Sequence, residues 1–140
     1  MCITLRSGPP FLKYAVSERN IDMRILIVDD EESITDILQL LLQDEGYKVD
    51  IASSGKEALT LAESHYDLAV IDVDLRDMNG SQVAREIMNR HTDVKIVFMT
   101  GYPELVASIR ALDIDIVDIL VKPFSTDMLK RLIREALSPE

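Results

Sequence analysis

From Arg24 to the C-terminal end, two periodicities alternate along the chain, and this alternation limits what it can fold into more than any other feature. Short apolar runs rich in β-branched residues lie at 24–28, 48–52, 68–71, 95–99 and 116–121. Between them stand amphipathic stretches with apolar residues three and four positions apart, the spacing of one buried helix face. Ile34, Ile37, Leu38, Leu41 and Leu42 form the first such stretch, with Gly46 as its stop. Ser53, Ser54 and Gly55 introduce a weaker second, carrying Leu59, Leu61 and Ala62. A third, with Val83, Ile87 and Met88, follows Gly80; Pro103 opens a fourth, with Val106, Ile109 and Leu112 along one side. Ser125 caps a fifth, whose Met128, Leu129, Leu132, Ile133 and Ala136 are expected to face inward.

Five strands alternating with five helices predict an α/β fold around a parallel sheet, with right-handed crossovers placing helices on both faces. The apolar runs of the first, third and fourth strands are continuous rather than alternating, which fits burial on both faces. Pattern alone leaves the strand order open. It does say where to look for chemistry, because doubly wound sheets bind ligands beyond the carboxyl ends of their strands.

Composition narrows the function. Twenty-five acidic residues against fifteen basic ones give a formal charge of −10, which repels DNA and anionic membranes. No direct contact with nucleic acid or membrane is therefore expected. No apolar run approaches the roughly 20 residues of a membrane span. The single cysteine, Cys2, excludes an internal disulfide, and with two histidines there are too few ligands for a zinc cage. A reducing, cytoplasmic setting is the simplest expectation. Residues 1–22 differ from the rest, with three basic and two acidic residues and the breaker cluster Ser7-Gly8-Pro9-Pro10. They read as a flexible leader before a single domain over 23–138. Lys122 is followed by only eighteen residues, so no output domain is expected after it.

The strand ends give a short list. The first strand ends in Asp29-Asp30, the third in Asp72, the fourth in Thr100 and the fifth in Lys122-Pro123. Parallel strands bring these ends to one edge. Singly, each has a plainer explanation: a helix cap, a turn residue, a solvated stem. Together they place three carboxylates, a hydroxyl and an ammonium in one cleft. Carboxylates so close repel, and a divalent cation resolves the repulsion; an all-oxygen ligand set suits Mg²⁺. One aspartate can then act as a nucleophile toward a phosphoryl group.

This constellation resembles the receiver domain of two-component response regulators. The residues carrying the likeness are Ile25-Leu26-Ile27-Val28-Asp29-Asp30-Glu31, Val70-Ile71-Asp72 with Gly80 eight positions on, Met99-Thr100-Gly101-Tyr102, and Val121-Lys122-Pro123-Phe124. The resemblance implies a five-stranded, flavodoxin-like parallel sheet in the order 2-1-3-4-5. It implies Asp72 as phosphoacceptor, with Asp30 as a direct Mg²⁺ ligand and Asp29 acting directly or through water. The main-chain carbonyl of Asp74 would complete the protein ligands. Thr100 and Lys122 would hold the phosphoryl oxygens, and Lys122-Pro123 would be a cis peptide. The implied donor is a sensor histidine kinase or a histidine phosphotransfer protein. Such a domain phosphorylates itself and slowly dephosphorylates itself rather than acting as an enzyme on others. Its signal would leave through a surface, as a partner contact or a phosphorylation-dependent homodimer, for which Arg110, Asp113, Asp118, Lys130 and Arg131 are the candidate charged residues.

The chain departs from the family's pattern in four places. Arg76 stands where proline is common. Asp74 adds a carboxylate beside the acceptor and is expected to alter phosphoryl lifetime. Ile119 replaces the usual aromatic three residues before Lys122, so an aromatic rotamer switch cannot operate there, leaving Tyr102 as the nearby aromatic. Asp115-Ile116 replaces the usual Gly-Ala. Two other readings stand beside the receiver. Ile71-Asp72-Val73-Asp74 resembles the opening motif of haloacid-dehalogenase-type phosphatases, though these place it before their later acidic pair. A receiver-like module that binds proteins without being phosphorylated is the second. His65 and His91 are expected to cap helix carbonyls, and Met88, Met99 and Met128 to fill the core.

Overall fold

A computed structural model describes residues 22–138. The leader proposed for 1–22 lies outside the described residues except for Asp22. The elements run β1 (Arg24–Val28), α1 (Glu32–Asp44), β2 (Lys48–Ala52), α2 (Gly55–Leu61), β3 (Leu68–Asp72), α3 (Gly80–Arg90), β4 (Lys95–Thr100), a 3₁₀ turn (Pro103–Leu105), α4 (Val106–Arg110), β5 (Asp118–Val121) and α5 (Thr126–Ala136). All strand pairs are parallel, and the sheet order is β2-β1-β3-β4-β5. This is the 2-1-3-4-5 order that the family resemblance implied.

Why the strands read as unbroken apolar runs is now visible. Ile25, Ile27, Leu68, Val70, Val97, Met99 and Leu120 face one core, shared with Leu38 and Leu42 of α1 and Leu129 and Ile133 of α5. Leu26, Val28, Ala69, Ile71, Ile96, Phe98 and Ile119 face the other, with Ala58 of α2, Val83 and Ile87 of α3, and Ile109 of α4. Alternate residues serve opposite faces, so every position along a central strand must be apolar. At roughly 25 cal/mol per Å² of buried apolar surface, these two layers are the main source of stability.

Local signals fix the helix ends. After α1 the Gly46 N–H donates to Gln43 O (3.0 Å) and the Tyr47 N–H to Leu42 O (3.1 Å). Gly46 takes φ 101°, a conformation that costs a residue with a Cβ. Tyr47 then packs in the same core layer as Leu42, so the stop is a Schellman motif with its apolar contact. The Ser54 hydroxyl accepts from Glu57 N (3.0 Å) at the start of α2, and the Ser125 hydroxyl accepts from Met128 N (3.0 Å) at the start of α5. Asn79 and Gln82 form a capping box at α3. Asp77 reaches across to accept from the Gly55 and Lys56 amides at 2.9 Å each, and those backbone bonds hold its carboxyl below the usual range.

Four expectations need correction. Ile37 is 55% exposed and Met128 54% exposed, so neither belongs to the core. In α1 the inward positions are Thr35, Leu38 and Leu42; the apolar stripe is wider than the buried face. Ile37 instead lines an open groove of about 510 Å³ with Ile34, Leu38, Pro123 and Phe124. The helix opened by Pro103 is a 3₁₀ turn followed by only five α-helical residues, and β5 begins at Asp118 rather than at 116. Of the histidines, the His91 ring bonds the Ala62 carbonyl beyond α2 (2.7 Å), as a cap should, whereas His65 pairs with Asp93 (3.2 Å).

Candidate phosphoacceptor site

The sheet order puts β1 and β3 side by side, with β4 and β5 following. Their carboxyl ends meet at one edge. The strand ladder extends to the tip: Asp29 N donates to Ala52 O (3.1 Å), Val73 N to Met99 O (2.9 Å) and Lys122 N to Thr100 O (2.8 Å). These bonds fix the backbone from which each polar side chain departs.

Asp29, Asp30 and Asp72 each offer an oxygen within 4.8 Å of the others. Asp29 is 1% and Asp72 4% exposed, so both are shielded from water. The Lys122 ammonium lies among them, donating to Asp29 Oδ2 (2.8 Å), Asp72 Oδ2 (2.9 Å) and Glu31 Oε1 (3.1 Å). All three of its protons are thereby used. The remaining carboxylate oxygens are held by loop amides: Asp29 Oδ1 accepts from Glu31 N (2.9 Å) and Asp72 Oδ1 from Asp74 N (2.8 Å). Asp30 Oδ2 accepts from Arg76 N (3.2 Å), with the exposed Arg76 guanidinium 3.7 Å away. Lys122-Pro123 is a cis peptide, as the resemblance implied.

Electrostatics follow from one cation serving several anions. Burial alone would pull the Lys122 ammonium down, but its hydrogen bonds and charge interactions with Asp29 and Asp72 outweigh burial and raise its pKa above the usual lysine value. Asp29 fares differently. Burial pushes its carboxyl up, and the Asp72 charge adds to this; the bonds from Lys122 and the Glu31 amide only partly offset both. The ammonium gains from every carboxylate, while each carboxylate has only a share of the ammonium. A second cation at this cluster would therefore be favourable, and an all-oxygen donor set of this size fits Mg²⁺.

Thr100 is fully buried at the end of β4. Its hydroxyl donates to Asp74 Oδ2 (3.0 Å) and accepts from Tyr102 N (3.1 Å). The Gly101 N–H reaches the same Asp74 oxygen at 3.3 Å. A Cβ on Gly101 would meet nothing within 4 Å, so the approach to the site is open on that side. Gly80 is different: a Cβ there would collide with the Asp72 carbonyl and come within 2.8 Å of Val73 Cα. This glycine lets α3 start against the backbone that presents Asp72.

Every site residue read from the strand ends thus arrives at one edge: Asp29, Asp30, Asp72, Thr100, Lys122 and Pro123. Asp74 is there as well, with its side chain turned toward Thr100. Two contributors were not singled out. Glu31 stands in the Asp29-Asp30-Glu31 run, and its place beside the two aspartates is the available signal. Arg76 was noted as a departure, but its bond to Asp30 runs through the main chain, which no side-chain pattern reveals. On the candidate partner face, Arg110 and Asp118 pair with each other (3.0 Å). Ile119 is buried in the core beside β4, and Tyr102 is 53% exposed. No helix among the described residues is long and apolar enough to cross a membrane.

Comparison with known proteins agrees with this geometry. The family model for the response regulator receiver domain matches residues 25–134. The response regulator SaeR of Staphylococcus aureus (strain USA300) is 35% identical over 114 residues, covering 81% of this chain and 50% of that protein. The chain therefore spans about half the length of the curated relatives it matches. A CheY-like receiver domain protein from Methanospirillum hungatei JF-1 superposes with a TM-score of 0.77 at 33% identity, covering 83% of this chain and 94% of that one. The response regulator TrrA from Thermotoga maritima, solved in complex with Mg²⁺ and BeF, gives 0.71 at 37% identity, covering 81% and 98%. Sheet order, the acidic cluster at the strand ends and the family match all lead to one assignment: the chain belongs to the response regulator receiver domains of two-component signalling.

Proposed function

We propose that Asp72 of this receiver domain accepts a phosphoryl group from a phosphohistidine on a sensor histidine kinase or histidine phosphotransfer protein. The observation that carries this reading is the burial of Asp72 beside Asp29, with one carboxylate oxygen on the Lys122 ammonium that bridges the two and the other on the Asp74 amide. In the transfer, an Asp72 oxygen forms a bond to phosphorus as the phosphorus–nitrogen bond breaks. The released electron pair stays on the imidazole, which takes a proton from water. Lys122 neutralises charge on the transferred group, and Thr100 offers its oxygens a hydroxyl from the end of β4. Asp29, Asp30, Asp72 and the Asp74 carbonyl would hold Mg²⁺, which when bound neutralises the equatorial oxygens of the phosphoryl group. The same residues support self-phosphorylation from small acyl phosphates and slow loss of the group to water, in a cytoplasmic setting.

The signal then leaves through the surface. A phosphoryl group adds close to two negative charges, and a response at Thr100 is carried by Gly101 and Tyr102 into the 3₁₀ turn and α4. A partner contact or a homodimer on this side would draw on Asp113, Lys130 and Arg131, and would exchange the Arg110–Asp118 pair for pairs between molecules. The phosphatase reading is not favoured, because the first acidic pair directly follows β1, ahead of Asp72 in the chain. The test is mass measurement after incubation with acetyl phosphate and Mg²⁺. The native protein is expected to gain one phosphoryl mass, and Asp72→Asn none. Absence of labelling in the native protein would instead favour the unphosphorylated binding module.

A further inference from the structure

The proposal concerns Asp74 and rests on Asp72 being the phosphoacceptor. Thr100 has one hydroxyl proton, and it is already committed: it points to Asp74 Oδ2 at 3.0 Å, while the hydroxyl oxygen accepts from Tyr102 N at 3.1 Å. The Gly101 N–H aims at the same carboxylate oxygen, at 3.3 Å. Thr100 is fully buried, so water does not supply an alternative partner. The two donors at the end of β4 therefore converge on an anionic oxygen supplied by the chain itself. Asp74 lies two residues after Asp72, and its own N–H holds Asp72 Oδ1 at 2.8 Å. That places the Asp74 carboxylate next to where a group on Asp72 would stand.

We propose that the Asp74 carboxylate is an internal stand-in for a phosphoryl oxygen, occupying the Thr100 and Gly101 donors until phosphorylation displaces it. A single proton cannot serve two acceptors, so Asp74 and a phosphoryl oxygen exclude each other at Thr100. Two anions also repel where burial limits screening by water. Asp74 thus acts as a positioning residue with two effects. It holds Thr100 turned inward in the unphosphorylated protein, and it competes with the incoming group. Charge-assisted hydrogen bonds are strong enough for release of this one to be worth at least about a factor of ten in affinity.

The experiment is calorimetric titration of the full chain with beryllofluoride at saturating Mg²⁺, on native protein, Asp74→Ala, Asp74→Asn and Asp72→Asn. Asp74→Ala frees both donors and is expected to bind at least about tenfold tighter than native protein. Asp74→Asn keeps an acceptor oxygen but no charge, and should fall between the two. The direction discriminates, since a merely structural defect lowers affinity rather than raising it. Before any titration, the Gly101 and Tyr102 amide resonances of Asp74→Ala should already differ from native. Equal or weaker binding by the folded variants overturns the proposal. Should Asp74→Ala lose its cooperative melt, Asp74→Asn decides alone. Folded native protein that binds no beryllofluoride, and so matches Asp72→Asn, would defeat the phosphoacceptor reading and this proposal with it. Native binding with no gain in either variant would defeat this proposal alone.

Discussion

Lys122 shows how much one side chain can carry at the residue scale. It is 13% exposed and bridges Asp29, Asp72 and Glu31, so removing it leaves buried charges uncompensated. Lys122→Met should cost about 3 kcal/mol at neutral pH without Mg²⁺, the range for breaking a buried ion pair by deleting one partner. Its pH dependence has a definite sign. The Asp29 carboxyl is raised above 3.8 in the folded protein, so its contribution favours folding below that value and is lost as pH rises through the raised one. Without Lys122 its pKa rises further, and the cost at neutral pH grows. Denaturant melts of native and variant protein should therefore converge as the pH falls toward about 4. The opposite trend, a gap widening in acid, would show that repulsion among these carboxylates is not what Lys122 relieves. The residues of this cluster were legible because strand ends are legible: Asp29, Asp72, Thr100 and Lys122 each follow an apolar run. The partners of Glu31 and Asp74 were not, because they depend on how two loops fold over the strand tips.

Elements were legible to the extent that burial was two-sided. The first four strands lie within a residue of where their apolar runs placed them; β1, β3 and β4 are covered on both faces, while the edge strand β2 is partly exposed. The fourth helix was overextended: Val106, Ile109 and Leu112 keep helical spacing, but only Val106–Arg110 closes as α-helix. Met128 carries a helical period into solvent for a related reason, since period reports spacing and not the width of the face a neighbour covers. Gly80 links this scale to the site. Its missing side chain lets the first turn of α3 sit against the Asp72 carbonyl and Val73 Cα. Gly80→Ala should destabilise the protein by about 1–3 kcal/mol, the usual cost of forcing a methyl group into packed surroundings. Because the obstacle is the backbone that presents Asp72, labelling by acetyl phosphate should slow as well. A variant with native stability and native labelling would mean that β3 and α3 separate without cost.

For the whole molecule, the sheet order does what no single motif could. Residues 29 and 72 are 43 positions apart in sequence, yet β1 and β3 are neighbours, and Lys122 closes the site from β5 two strands further on. The site is thus completed only when β1, β3 and β5 are all in place, so an ion bound there couples to the global unfolding equilibrium and not to local fraying. Mg²⁺ should raise the unfolding free energy by RT ln(1 + [Mg²⁺]/Kd), about 2.7 kcal/mol at one hundred times Kd, and the melting temperature should climb with concentration. Asp30→Asn should reduce this shift sharply. Asp30 takes no bond from Lys122, and its protein partner is the Arg76 amide, so the substitution leaves the ammonium cluster standing. The same titration on Lys122→Met should show a larger Mg²⁺ shift than native protein, because the ion then relieves repulsion that the ammonium no longer offsets. Equal shifts in native protein and Asp30→Asn, at matched ionic strength, would mean that the stabilisation is general screening and that the three aspartates do not share one ion.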